Sequence, residues 1–182
     1  LGKEMNPNPQ QRKPVWLAAL DALVSDRLVD HRARVAAKES DPAKRFEITD
    51  RDVDAAIDRL LAEARRKVPG ISLRALLIQA RQNYANFRRS VARELALDRI
   101  VVYTRGVPIE KAADPKQRQA VRDEMKAQAL RDHQIEYFEK GDTPGEAGRE
   151  PRILRVYGED VFYSEYARYF VLQYDREGLR RI

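Results

Sequence analysis

Apolar residues recur at helical spacing along most of this chain. Leucine, isoleucine, valine and alanine lie three, four or seven positions apart in residues 15–38, 49–67, 73–82 and 84–101. Such spacing places apolar side chains on one face of an α-helix and polar side chains on the other. A narrower apolar stripe in residues 115–140 predicts a further helix, which packs weakly or projects as an arm. The pattern therefore predicts a mainly α fold.

Start and stop signals separate these helical segments. Thr49 precedes the second segment, where its hydroxyl can accept a hydrogen bond from a first-turn amide. The Val-Pro-Gly sequence at residues 68–70 ends that segment, and Ser72 is expected to cap the next one. Asn83 interrupts the pattern before the last segment. Residues 46–101 thus hold three successive helices, and the chain is organised around them.

Two short stretches depart from the helical pattern. Residues 101–103 read Val-Val-Tyr, and β-branched and aromatic residues favour a strand. Residues 152–162 predict a β-hairpin, because Gly158 can adopt a positive φ in the turn between two apolar stretches. Ser164 is then expected to cap a closing helix that carries an aromatic stripe. The stripe consists of Tyr166, Tyr169, Phe170 and Tyr174.

These elements predict a multi-helix bundle with a small C-terminal β-hairpin and a closing helix. The predicted organisation is a flexible arm at residues 1–14, a helical core at 15–113, an amphipathic helix or arm at 114–140, a linker at 141–151, and a hairpin plus aromatic helix at 152–182. Glycine and proline are frequent in the linker. It therefore allows the last segment to dock on the core of its own chain or of a neighbouring chain.

Composition narrows the class of protein and the kinds of site. The 182 residues include 35 lysines and arginines and 29 aspartates and glutamates, so the formal net charge is +6. Charges of both signs are interspersed, which is typical of solvated helix faces. The absence of cysteine excludes disulfides and thiolate metal sites and fits an oxidising compartment. No apolar run reaches the ~18 residues needed to span a bilayer.

Catalytic chemistry has little support in the residues. A nucleophile must lie beside a base, yet the only histidines, His31 and His133, fall on separate polar helices. No second metal ligand lies one helical turn after His31, so a metal site is not predicted there. No glycine-rich phosphate loop follows a strand. The residues therefore predict a non-enzymatic binding module without a metal ion or cofactor.

Three groups of residues carry a resemblance to a known family. They are Leu20, Leu23, Val24 and Leu28 on the first helix, Ile48, Thr49, Asp50, Val53 and Ile57 at the second, and Tyr84, Phe87, Arg88 and Val91 at the last. In these patterns the chain resembles the N-terminal helical domain of SurA-like periplasmic chaperones, which precedes a parvulin domain in those foldases. The hairpin around Gly158 resembles the element that opens the family's domain, with Tyr157 in place of the usual asparagine.

The resemblance implies a chaperone of the periplasm or cell envelope. The parvulin domain has no counterpart in these 182 residues, so prolyl isomerase activity is expected only if such a domain lies outside this chain. The hairpin follows the helices, whereas in the family it precedes them. It therefore either begins a second copy or returns to complete the helical core, in its own chain or by domain swapping in a homodimer.

The first functional hypothesis is a chaperone-like or assembly module that binds apolar or aromatic segments of unfolded or partly folded polypeptide clients. The predicted groove residues are Leu73, Leu76, Leu77, Tyr84, Phe87, Val91, Tyr166, Tyr169 and Phe170. An alternative is a structural interaction or self-assembly protein with one folded partner.

A further alternative is weak nucleic-acid binding, or binding of another anion or partner, through an arginine-rich helix face. That face comprises Arg81, Arg88, Arg89 and Arg93. Polyanions bind to clustered cations through counterion release. The lack of aromatic residues interleaved with these arginines counts against nucleic acid as the ligand.

Overall fold

A computed structural model describes residues 15–42, 44–79, 82–138 and 151–169 of the chain. The predicted flexible arm at residues 1–14 lies outside the described residues, as does the predicted linker apart from Pro151. The chain forms two compact units. We call residues 28–125 the helical unit, and residues 1–27 together with 126–182 the sheet unit.

Helices dominate the described residues, and a small antiparallel sheet accompanies them. The elements are α1 Val15–Ala37, α2 Asp50–Lys67, α3 Leu73–Gln79, α4 Tyr84–Arg105, α5 Ile109–Ala112, α6 Pro115–Arg131, β1 Ile135–Tyr137, β2 Arg152–Val156, β3 Glu159–Phe162 and a closing helix, α7, at residues 163–169. The predicted mainly α class with a small sheet and a closing helix is confirmed. None of the described helices combines the length and apolarity required to cross a membrane.

The predicted helix starts in the helical unit are confirmed by their hydrogen bonds. Thr49 Oγ1 accepts a hydrogen bond from the Asp52 N–H at 3.2 Å, and the Asp52 carboxylate accepts one from the Thr49 N–H at 2.9 Å. This reciprocal pair is a capping box. Hydrogen bonds from the side chain and backbone of Thr49 lower the pKa of Asp52. Ser72 and Asn83 cap α3 and α4 by accepting backbone N–H groups at 3.2 and 2.8 Å.

The strand predicted at residues 101–103 is wrong, because α4 continues to Arg105. Val101 is fully buried in an apolar cluster, where a helical backbone brings it against the core. This packing outweighs the weak preference of valine and tyrosine for strands. Gly106 ends the helix at a φ of 63°, and its N–H donates to the Val102 carbonyl at 2.9 Å.

Two apolar clusters form the core of the helical unit. The first contains Val29, Ala96, Leu97, Ile100, Val101, Ala112 and Val121, and the second contains Val53, Ala56, Ile57 and Val91. The first cluster joins residues of α1, α4, α5 and α6. Val121 is only 1% exposed, so this part of α6 packs into the core and does not project as an arm.

The sheet unit contains a strand that the sequence pattern did not predict. The helix predicted to run to residue 140 ends at Arg131, where His133 adopts a φ of 52° and the Gln134 N–H donates to the Ala129 carbonyl at 2.8 Å. A residue in the left-handed region after a helix is a common C-terminal cap. The chain then enters β1, which pairs with β2 over a long separation in sequence.

The predicted hairpin is present as β2 and β3. Tyr157 and Gly158 have φ values of 48° and 78°, and a type I′ turn needs a positive φ at both positions. Strand order is β1-β2-β3, and all neighbours are antiparallel. The buried residues of the sheet are Ile135, Leu154, Val156 and Val161. The closing helix contacts α1 of the same chain, since Arg27 pairs with Glu165 at 2.6 Å.

Candidate functional site

A groove of about 780 Å³ opens on the helical unit between α2, α4 and α5. Ligand-binding pockets usually have volumes of roughly 300–1,000 Å³ and mostly apolar walls. The main apolar side chains that line the groove are Ile48, Leu60, Phe87, Val91, Leu95 and Ile109. Space, apolar lining and an open mouth together make this groove the candidate site.

The floor of the groove is continuous with the core. Val91 is 7% exposed and belongs to the cluster around Val53, against which Phe87 and Leu95 also pack. Helix α4 presents these residues on one face because positions 87, 91 and 95 are spaced by one helical turn. The floor is therefore held by core packing and is formed before any ligand binds.

Two large aliphatic side chains stand exposed in the walls of the groove. Leu60 on α2 is 45% exposed, and Ile109 at the start of α5 is 43% exposed. Burying such side chains against an apolar ligand is favourable in proportion to the area removed from water. They are the residues through which a ligand gains apolar contact.

A charged network closes the groove where α4 meets α6. Arg118 lies 2.7 Å from Asp98 and 2.8 Å from Glu94, and Arg122 lies 2.9 Å from Glu94. Burial raises the pKa of the Asp98 carboxyl, although the hydrogen bond from Arg118 acts in the opposite direction. This network fixes the position of α6 beside α4 and gives the groove a polar end.

The predicted groove residues are only partly brought together. Phe87 and Val91 line the groove, and Leu73 packs against the cluster beneath it. Leu76 and Leu77 are half-buried on α3, outside the lining of the groove. Among the described residues, the groove is therefore lined mainly by α2, α4 and α5, and no residue of α3 takes part.

The aromatic residues assigned to the same groove have other positions. Tyr84 is half-exposed at the start of α4, with the Arg88 guanidinium 5.7 Å from its ring centre. Tyr166 and Tyr169 belong to the sheet unit, where Tyr169 hydrogen-bonds Asp26 and burial raises the pKa of Tyr166. Phe170 lies outside the described residues.

Two arginines of the predicted face, Arg88 and Arg93, are engaged in internal ion pairs. Arg88 pairs with Asp50 at 2.8 Å and with Asp54, and hydrogen bonds to Tyr84, Asp54 and Asp50 raise its pKa. The Arg93 guanidinium makes two hydrogen bonds to Asp30, at 2.8 and 2.7 Å.

Arg89 is exposed, and Arg81 lies outside the described residues. Arg88 and Arg93 tie α4 to α2 and to α1, so their charges are already balanced by carboxylates. Within the described part of the chain, no group of His, Asp or Glu has the arrangement of a metal site.

Sequence reasoning missed the two exposed wall residues. The helical spacing of α2 predicts that Leu60 is buried together with Val53 and Ile57, but no described element covers it. Ile109 lies between the predicted helical segments 84–101 and 115–140, directly after Pro108. A large apolar residue between two helical segments is a signal for Ile109, whereas no local signal distinguishes Leu60 from its buried neighbours.

Comparisons with known proteins leave the groove geometry as the basis for function. No protein-family pattern, no curated protein and no solved structure matches this chain. The resemblance to SurA-like chaperones, carried by helix patterns such as residues 48–57, stays a prediction.

Proposed function

We propose that the protein is a chaperone-like or assembly module that binds apolar segments of polypeptide clients in the groove between α2, α4 and α5. The observation that supports this proposal is the pair of exposed aliphatic residues, Leu60 and Ile109, in the walls of a groove with an apolar floor. An extended or helical segment with apolar side chains fills such a surface, as amphipathic helices do in hydrophobic grooves.

Weak and permissive binding suits this role. The groove offers apolar area from Phe87, Val91 and Leu95, while specific recognition requires polar groups placed against the ligand. A periplasmic or cell-envelope location forms part of the proposal. Its support is the resemblance to SurA-like chaperones and a composition without cysteine.

The variant that tests the proposal is Leu60→Asp. A carboxylate in the wall opposes an apolar ligand. The loss of roughly half of a leucine's ~1.5–3 kcal/mol burial energy corresponds to roughly three- to tenfold weaker binding. We expect the purified protein to slow the aggregation of reduced insulin at stoichiometric ratio, measured by light scattering. Leu60→Asp should remove most of this effect.

The matched control is Ile78→Asp, because Ile78 is 67% exposed on α3 and does not line the groove. This variant changes the net charge by the same amount as Leu60→Asp and should keep full activity. Equal loss in both variants, or no effect of the unaltered protein on aggregation at several-fold excess, would contradict the proposal.

A further inference from the structure

The groove carries an excess of acidic groups within a basic protein. Its lining contains the carboxylates of Asp52, Glu63, Glu94, Asp98 and Glu110 and the guanidinium groups of Arg59, Arg99 and Arg118. The whole chain has a formal net charge of +6. Carboxylates thus outnumber cations at this surface, although cations outnumber carboxylates in the sequence.

Most of the cations at the groove are engaged with neighbouring groups. Arg118 is shared between Asp98 and Glu94, which form the polar end of the groove. The Arg59 Nε donates to the Ala55 carbonyl of its own helix at 3.3 Å. Glu94 and Asp98 offset the charge of Arg118. The remaining lining has three carboxylates against the two guanidinium groups of Arg59 and Arg99, so the acidic excess is one charge or more.

Two of the carboxylates are open to a ligand. Glu63 on α2 and Glu110 on α5 are exposed, and neither has an ion pair with any described residue. Glu63 lies three positions after Leu60, which places both on the same side of α2. Glu110 directly follows Ile109. Each exposed aliphatic residue of the groove therefore has an open carboxylate near it in the chain.

We propose that the groove prefers polypeptide segments in which lysine or arginine flanks apolar side chains. The inference rests on the proposed function and names the chemistry of the client. Apolar side chains of the segment lie against Leu60 and Ile109, and its cations reach Glu63 and Glu110. Charge complementarity of this kind selects partners and disfavours segments of like charge.

The test uses three fluorescein-labelled peptides that share a core of alternating leucine and serine. The core is flanked at both ends by lysine, by glutamine or by glutamate, and affinity is measured by fluorescence anisotropy with the full chain. We expect the lysine peptide to bind most tightly and the glutamate peptide most weakly. The difference should shrink as salt is added, because exposed charges are screened.

The matching protein variant is Glu63→Gln combined with Glu110→Gln. The double variant should weaken binding of the lysine peptide roughly two- to fivefold, the range for exposed ion pairs. Its affinity for the glutamine peptide should be unchanged. Asp58→Asn is the control, because Asp58 is exposed on α2 and does not line the groove. It should change the affinity of no peptide.

The outcomes separate the two proposals. Equal affinities for the lysine and glutamine peptides would overturn the preference for cations and leave apolar binding intact. The same conclusion follows if the double variant weakens both peptides equally. If no peptide binds to the unaltered protein, the proposed function fails, and the preference for basic segments fails with it.

Discussion

Arginine–carboxylate pairs are arranged differently on the two units of the molecule. On the sheet, Glu136, Arg155 and Asp160 lie side by side in register on β1, β2 and β3, and Arg155 pairs with both acids at 3.8 and 2.7 Å. Arg152 adds a second bond to Asp160 at 3.3 Å and stacks on Phe138, 4.4 Å from the ring centre. On this face of the sheet, the carboxylates and guanidinium groups form ion pairs with one another.

On the helical unit, the described residues that line the groove form ion pairs only at the end beside α6. Glu94 and Asp98 share Arg118, whereas Glu63 and Glu110 stand beside the exposed aliphatic residues without an ion pair to a described residue. The same residue types therefore form ion pairs on the sheet but stay partly unpaired at the groove. The charged side chains of the sheet face pair with one another, whereas Glu63 and Glu110 beside the groove are free of ion pairs to described residues, as the proposed binding of basic segments requires.

The largest expected effect is the loss of a buried leucine in either unit. Leu97 on α4 and Leu154 on β2 are both 0% exposed, so Leu97→Ala and Leu154→Ala should each lower the free energy of unfolding by about 2–5 kcal/mol. Urea denaturation followed by circular dichroism measures this loss. Separate transitions in which each variant shifts only one would sharpen the distinction between the two units.

Half-exposed leucines provide the controls for these two variants. Leu60 in the helical unit and Leu130 in the sheet unit are each 45% exposed. Replacement of either by alanine should cost less than about 1 kcal/mol, since little packing is lost. If Leu60→Ala were as destabilising as Leu97→Ala, Leu60 would have to be a core residue, and the groove would lose one wall.

Local signals account for the parts of both units that were predicted from the sequence. Thr49 before Asp52 marks the start of α2, and Gly158 between two apolar stretches marks the hairpin. Each signal acts over a few residues and depends little on the rest of the fold. The number and order of the main helices follow from such signals.

The elements that were missed depend on distant parts of the chain. Residues 101–103 are helical because Val101 fits the core, and β1 is a strand because Ile135 pairs with Val156. Neither partner is visible in the local pattern. The same limitation applies to the site, because spacing identifies the apolar face that carries Phe87 and Val91 but not the neighbour that leaves part of a face uncovered.

Helix ends offer the next test of the comparison, since one end in each unit depends on a single residue. In the helical unit, Thr49→Ala removes the side-chain acceptor of the capping box and should cost about 1 kcal/mol. Thr104→Ala is the control, because Thr104 is exposed in the last turn of α4. A thermal melt that shows equal loss for both variants would contradict the role of the cap.

In the sheet unit, a substitution at the end of α6 is expected to stabilise the fold, whereas Thr49→Ala destabilises it. His133 is exposed and has a φ of 52°, which carries a steric cost for every residue with a Cβ. His133→Gly should therefore raise the free energy of unfolding by up to about 1 kcal/mol, whereas His133→Ala should not. Stabilisation by alanine as large as that by glycine would show that loss of the imidazole, not relief of the backbone, is responsible.

The smallest expected effect is a difference in pH dependence between Asp98 and Asp160, although both carboxylates bind an arginine. Burial raises the pKa of Asp98 above its ordinary value of 3.8, and the hydrogen bond from Arg155 lowers the pKa of Asp160 below the same value. At Asp98 the folded state holds its proton more tightly, so stability falls as the pH rises from about 3.8 through the raised pKa. At Asp160 the contribution to stability is present above about 3.8 and is lost as the pH falls through the lowered pKa.

Asparagine substitutions separate these two contributions. Asp98→Asn should make the unfolding free energy rise more steeply with pH just above 3.8, because a term of negative slope is removed. Asp160→Asn should make it rise less steeply below 3.8. Urea titrations at a series of pH values measure both slopes, with Asp58→Asn as an exposed control. Slopes that change in the same direction in the two variants would show that burial does not dominate at Asp98, and the charged end of the groove would then resemble the sheet face.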